Sequence, residues 1–398
     1  MSGARPHRRS LHVVPPQFSP YNATKSARLA ADAGWPPDAV NAVGADADFG
    51  TVFRLGSPRW RRSLEWRLRA VGHVLQPFSP TAPLRFHLDD TGPLRRLLDQ
   101  HHYEVIHYHG LDGALAAARV ARGAGSRFVV DFWENYPSHY WSTGSAAVLS
   151  THQHSYDYWM THERAVVAAA SAVIVKTTEM RSRLVGEHAV DPAKIHVVEN
   201  TERADDWPSR RETVSSGRDL RLIFAGGCSQ TRGLDTIVRA IALVRPSGIG
   251  VDLHIVGDRP GLWDAVASEC GVHDRVHKMQ WMERERLLEL YGTMNVGVVP
   301  HHKSEQNDNT APHKLFQYML CELPVLASDC HSVANIVRAA GCGVIYTAGD
   351  PASAAEALAS LVDHDRRLAL GSAGRKAVTS GTHSWASAVK AIGCAYGS

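Results

Sequence analysis

The feature that most constrains the fold is a repeated order of short apolar runs and longer helical patterns. From residue 220 the runs are LRLIFAG (220–226), VDLHIVG (251–257), NVGVVP (295–300), PVLAS (324–328) and GVIY (343–346). Helical patterns are predicted between them near 234–245, 261–270, 284–293, 313–320 and 352–362. Runs that are β-branched and apolar at consecutive positions suit strands buried on both faces, and intervening helices require parallel crossovers. The first half follows the same scheme. Its predicted strands are Leu11–Val14, Val40–Val43, Val105–Tyr108, Arg127–Asp131, Ala172–Val175 and Ile195–Val198, with helices such as Gly113–Arg122 and Tyr156–Ala170.

A chain of 398 residues exceeds what one core usually covers, so two Rossmann-like domains are expected. ERADDWPSRRETVSSGRD (202–219) is polar and lacks apolar periodicity, as a linker does. The expected domains are therefore 1–201 and 220–380, joined by 202–219, with HSWASAVKAIGCAY (383–396) a separate amphipathic helix within 381–398.

Composition narrows the class. Apolar content of 44% and charged content of 21% are ordinary for a soluble globular chain, and a net charge of +3 demands no nucleic-acid partner. The six cysteines form no CxxC pair, and no apolar run of signal-peptide length follows MSGARPHRRS, so a reduced, cytoplasmic chain is expected. The 23 histidines, including HHYEVIHYH and HQH, show no metal-ligand spacing and are expected as scattered surface or loop residues.

In open parallel sheets, ligands bind beyond the carboxyl ends of strands. FAGGCSQTRG (224–233) places Gly226 and Gly227 where a backbone can approach a ligand closely, with Arg232 near the next helix. It is neither a Walker A loop nor GxGxxG. NDNTAPHKLFQYM (307–319) supplies a second anion signal: Pro312 in the first turn of a helix, free amides near His313, and Lys314 adding a positive charge. Gln317 lies four residues after His313 and shares its face.

Taken in order, GG-x4-RG (226–233), VDLHIVGD (251–258), the Leu287–Tyr291 helix, NVGVVPH (295–301) and PHKLFQYMLCELPVLASD (312–329) resemble the donor-binding domain of family-4 glycosyltransferases. VIHYHG (105–110), VVDFWENYP (129–137) and ASAVIVKTTEMRSRL (171–184) are similar to that family's acceptor domain, and HSWASAVKAI (383–392) to its last helix. The resemblance implies an α/β GT-B fold: two Rossmann-like domains with parallel sheets facing across a central cleft, the last helix crossing back to the first domain. It also implies sugar transfer from a nucleotide-diphosphate sugar to a hydroxyl acceptor (a glycan, a lipid-linked or a natural-product acceptor), with retention and without metal or other cofactor. Lys314, Arg232 and Glu134 are the implied catalytic residues. Gly226, Gly227, Gly257, Met282, Asn309, Thr310, Pro312, His313 and Gln317 would bind the donor. Trp133 and His109 would bind the acceptor, with Tyr21 and Asn22 bordering the cleft.

The departures are informative. Asn309 and Gln317 stand where the family has two glutamates, Cys228 replaces one of two usual cations, and Trp133 replaces a histidine. A ribose hydroxyl bonded to a carboxylate contributes about 1.5–3 kcal/mol, against about 0.5–1.5 for an amide. Gln317 thus weakens donor binding by roughly tenfold without abolishing it. Glu305 and Asp308 are nearby carboxylates able to substitute.

One stretch stands apart. RLGSPRWRRSLEWRLRAVG (54–72) sets Trp60, Leu64, Leu68 and Val71 on one helical face flanked by arginines. Such a face suits peripheral contact with an anionic membrane at its inner surface, or ordinary packing with solvated arginines. Two other function classes stay open on sequence alone: a nucleotide-sugar epimerase of the same plan, and a non-catalytic partner subunit.

Overall fold

The computed structural model describes residues 8–15, 20–40, 49–53, 91–142, 146–207, 209, 218–257 and 263–398; the 54–72 stretch lies outside them. The chain divides into two compact units: Met1–Val198 with Val389–Ser398, and Glu199–Ala388.

In the first unit seven strands make one sheet: β1 (Ser10–Val13), β2 (Pro37–Val40), β3 (Val52–Phe53), β4 (Val105–His109), β5 (Arg127–Phe132), β6 (Ala172–Val175) and β7 (Ile195–Val197). Their order is β3-β2-β1-β4-β5-β6-β7, and every pair is parallel. The second unit has β8 (Leu220–Ala225), β9 (Val251–Val256), β10 (Val276–Met279), β11 (Val296–Val299), β12 (Val325–Ser328) and β13 (Gly343–Tyr346). Its order is β10-β9-β8-β11-β12-β13, again wholly parallel.

The period-2 pattern explains the layers of the second unit. Leu220, Leu222 and Phe224 pack to one side with Leu253, Ile237 and Leu358, while Ile223 and Ala225 pack to the other with Leu315, Met319 and Val337. Each sheet winds outward in both directions from its centre. The strand order therefore reverses between β1 and β4 in the first unit, and between β8 and β11 in the second. Ligands of doubly wound sheets bind at that reversal.

Several expectations need correcting. The second strand begins earlier than expected, at Pro37, which opens it without needing to donate within the ladder; of the expected 40–43 run only Val40 lies among the described residues. The edge strands Val52–Phe53 and Val276–Met279 are additional; the second is partly solvated and carries His277 and Lys278. The helices His331–Ala340 and His364–Thr379 are also additional. Within the latter, a Cβ on Gly371 would lie 2.1 Å from the Glu322 carbonyl oxygen, so close packing rather than apolar periodicity selects the residue. The 202–219 segment begins inside the second unit: Trp207 is buried and stacks on Tyr291 at 6.2 Å. At the other end, the Trp385–Tyr396 helix starts in the second unit and its residues from Val389 belong to the first. No helix among the described residues is long and apolar enough to cross a membrane.

Candidate functional site

At the reversal point of the second unit, the loops after β8 and β11 touch. Gly233 has φ of +66°, and a Cβ there would sit 2.0 Å from the Pro300 carbonyl oxygen. Only glycine allows that approach. His302 N also donates to Thr231 O at 3.1 Å. These contacts set Arg232 beside His301, with Nη1 to Nε2 at 3.3 Å.

The His313–Leu320 helix brings in the second cation. Tyr318 pins it to the end of β8: its hydroxyl donates to Ile223 O at 3.1 Å and accepts from Ala225 N at 3.1 Å. Lys314 lies one turn earlier on the same face. Its ammonium sits 3.2 Å from the Phe224 ring centroid, and 3.2 Å from where a Gly226 Cβ would be. Lys314 is buried, and no carboxylate pairs with it or with Arg232 among the described residues. Burial, and then the Arg232 guanidinium, hold the Lys314 ammonium well below the ordinary lysine range. Burial, then Arg232, Lys314 and His302, hold the His301 imidazole well below its ordinary value. Three basic groups that disfavour one another's charge, with no carboxylate paired to them among the described residues, make a surrounding suited to an anion.

The other predicted donor residues belong to the same unit. Gly226 is half-buried and Gly227 exposed. Gly257 lies against the Gly226 carbonyl and Trp281, which is 73% exposed. Met282 packs at the edge of the core. The 307–310 run is not a loop throughout, since Glu305–Asn309 is a short helix. Asn309 Nδ2 donates to Glu305 O and the Thr310 hydroxyl to Gln306 O, closing that helix. Asp308 is committed elsewhere: its carboxylate accepts from His331 N at 2.9 Å. Pro312 is the extended residue before the helix rather than part of its first turn, because its ψ is 151°. His313 Nδ1 lies 3.5 Å from Glu202, and Gln317 is half-buried one turn on.

In the first unit the reversal point holds a buried network. His107 and His109 alternate along β4, so both side chains fall on one face, beside His12 of β1 and Asp131 of β5. Asp131 Oδ2 meets His107 Nε2 at 3.3 Å, and His107 Nδ1 meets the Tyr396 hydroxyl at 2.6 Å. That hydroxyl meets His12 Nε2 at 3.3 Å, and His12 Nδ1 meets His109 Nε2 at 3.1 Å. His109 Nδ1 returns to Asp131 Oδ2 at 3.6 Å, closing a cycle. Lys176 holds the carboxylate at 2.7 Å.

Burial is the largest cause lowering all three imidazoles, His109 to about 3, and it outweighs the opposing pull of Asp131, so they are neutral at pH 7. Burial alone would raise Asp131, but Lys176, His107 and His109 outweigh it and hold the carboxyl well below its usual range. Three neutral imidazoles and one phenol supply four hydrogens to five contacts. One of the five contacts therefore carries no hydrogen.

Two groups bring three candidate metal ligands within 4.8 Å among the described residues: His12, His107 and His109, and Glu163, Glu187 and His188. The first is stacked ring on ring, with His107–His109 centroids 4.3 Å apart, and its nitrogens are engaged around the cycle. In the second, Arg183 neutralises Glu163 and Glu187 at 2.7 Å each.

The histidines of HHYEVIHYH are thus partly core rather than surface residues. His109 is enclosed in the network and Trp133 is 8% exposed beside it, ring centroids 5.3 Å apart, so neither presents an open face here. Glu134 is half-buried, Asn22 likewise, and Tyr21 is 47% exposed on the Pro20–Asp32 helix. The sequence reading did not single out His301, Tyr318, Lys176, His12 or Tyr396.

Two doubly wound parallel units, one with basic side chains gathered at its reversal point, make an α/β protein of double-Rossmann type. Residues 219–364 match the family described as glycosyl transferases group 1, and residues 27–201 the glycosyl transferase 4-like domain. The chain belongs to the group 1, family-4-like glycosyltransferases. A D-inositol 3-phosphate glycosyltransferase from Xylanimonas cellulosilytica is 30% identical over 232 residues, 54% of each chain. Another, from Mycolicibacterium gilvum, is 26% identical over 301 residues, covering 67% of this chain and 66% of that one. The chain spans about half the length of the first of these relatives. Among solved structures, sucrose-phosphate synthase from Thermosynechococcus elongatus superposes with a TM-score of 0.74 at 15% identity, covering 98% of both chains. Anabaena HepE in complex with UDP gives 0.68 at 12% identity, covering 97% of this chain and 98% of that one. The two-domain α/β architecture is that of the GT-B glycosyltransferases.

Proposed function

We propose that the protein transfers a glycosyl group from a nucleotide-diphosphate sugar to a hydroxyl-bearing acceptor, with the second unit holding the donor. The observation that carries this reading is a pair of cations, the buried Lys314 and the half-buried Arg232, that no carboxylate neutralises among the described residues. As the bond between the anomeric carbon and the β-phosphate oxygen breaks, the electron pair passes to the diphosphate. Preorganised cations stabilise that charge in a water-poor site. Arg232 and Lys314 supply it from the protein, and so the reaction needs no metal. The acceptor oxygen bonds to the anomeric carbon and its proton passes to the departing phosphate oxygen on the same face, which retains configuration. Gly227 and Lys314 add backbone N–H groups directed to the same phosphates.

Support for the donor class comes from HepE, which was solved with UDP and with UDP-glucose. In the first unit Glu134 remains the catalytic candidate and Tyr21 and Asn22 the acceptor-side ones. Asn309 and Gln317 give amide rather than carboxylate contacts to sugar and ribose, which favours weaker donor binding over loss of activity. Incubation with UDP-, GDP-, dTDP- and ADP-sugars tests the proposal. Slow hydrolysis of one donor, lost in Lys314→Ala, is the expected result; inversion at C2 of the sugar would establish an epimerase instead. Normal turnover by Lys314→Ala would overturn the phosphate assignment.

A further inference from the structure

We propose that His301 is a third basic contact for the donor's diphosphate, and that it takes up a proton when the nucleotide sugar binds. The inference rests on the donor-site reading above. It starts from a tautomer. Arg232 has only donors, so at 3.3 Å the His301 Nε2 must accept, and the imidazole's one hydrogen lies on Nδ1. Nδ1 is buried and has no hydrogen-bond partner among the described residues. A donor N–H is thereby left without an acceptor beside two cations that await an anion.

The surroundings set the sign of the change. Arg232, Lys314 and His302 all face the ring electrostatically, and all disfavour its charge. His302 is itself paired with Asp235 at 2.9 Å. On the opposite side, the Ser328 hydroxyl at 2.6 Å and the Cys330 thiol at 3.4 Å bond the His301 carbonyl, which fixes the backbone without adding charge. No carboxylate faces the ring among these groups. A diphosphate carrying two negative charges reverses that local field. A guanidinium has no further proton to gain, and burial lowers Lys314 as well as His301, so Lys314→Arg is the variant that separates the two. The proton assigned to the ligand-bound state goes to His301 Nε2, and the Arg232 N–H that pointed there turns to the diphosphate.

The proton count on binding decides the matter. UDP-glucose is the probe, because both phosphates are esterified and the ligand does not itself titrate at pH 7.5. Calorimetry in buffers of different ionisation enthalpy is expected to show net proton uptake by the unmodified protein. Uptake should persist in Lys314→Arg, whose guanidinium cannot titrate, and vanish in His301→Asn, with binding about tenfold weaker. Binding by the unmodified protein without uptake overturns the inference, as does uptake that survives in His301→Asn. If UDP-glucose and the corresponding GDP-, dTDP- and ADP-sugars all fail to bind, the donor-site reading falls, and this inference with it.

Discussion

Replacing Lys314 by methionine should move stability and ligand binding in opposite directions. The ammonium is buried against the Phe224 ring, faces Arg232, and has no carboxylate partner among the described residues. An uncompensated buried polar group costs about 1–3 kcal/mol, and more when charged. Methionine keeps the stem and removes the charge, so the ligand-free protein should gain about 1–3 kcal/mol. In a unit of this size each kcal/mol raises Tm by roughly 2–4 °C. A hydrogen bond from a charged donor contributes about 1.5–3 kcal/mol to binding, so affinity for a nucleoside diphosphate should fall by about 10–150-fold. Differential scanning fluorimetry, with and without UDP, reads both effects on one plate. A Lys314→Met protein that melts lower than the parent and still binds nucleotide would show that the lysine is a structural element, and the reasoning would fail.

Three further outcomes follow from the geometry. Gly233→Ala should lose about 1–3 kcal/mol and most of the nucleotide-induced melting shift, since its Cβ meets Pro300 at 2.0 Å. Gly227→Ala, with open space around its Cβ, should keep stability, and equal losses in the two would count against the loop contact. Tyr396→Phe removes the hydroxyl that joins His107 and His12, and should cost about 2–4 kcal/mol in urea unfolding; a cost below about 0.5 would dissolve the cycle. Acid should destabilise the first unit. Its three buried histidines have folded values depressed below their unfolded ones, His109 to about 3, so the unfolded chain binds more protons between about pH 6.5 and 3. The stability they contribute is whole above about pH 6.5 and is lost as pH falls, by up to about 1.4 kcal/mol per pH unit for each histidine. Urea midpoints unchanged between pH 7.5 and 5.5 would contradict this.

The central strands were legible because burial on both faces leaves continuous apolar runs, as in the AVIV of β6 and the VLAS of β12. The edge strand VHKM is solvated on part of its surface and shows no such run. The Glu305–Asn309 helix lacked a signal for a different reason: side-chain bonds from Ser304, Asn309 and Thr310 to the backbone hold it, not an apolar stripe. Lys314 and Arg232 were readable from glycine, proline and charge near strand ends. Their neighbour His301 was not, because a histidine after VVP carries no pattern until Gly233 brings Arg232 against it. The i and i+2 spacing of His107 and His109 was a usable sign of a shared strand face, but their partners come from far along the chain at His12 and Tyr396. Trp207 likewise looked like one apolar residue in a polar linker until Tyr291 supplied its stacking partner.

Hydrogen exchange with mass spectrometry, in the presence and absence of a nucleoside diphosphate, tests the central claim most directly. The account predicts protection concentrated in 226–233, 300–302 and 310–318, where Arg232, His301 and Lys314 meet, and loss of that protection in Lys314→Met. Protection confined to the first unit, or no protection by UDP, GDP, dTDP or ADP, would contradict it.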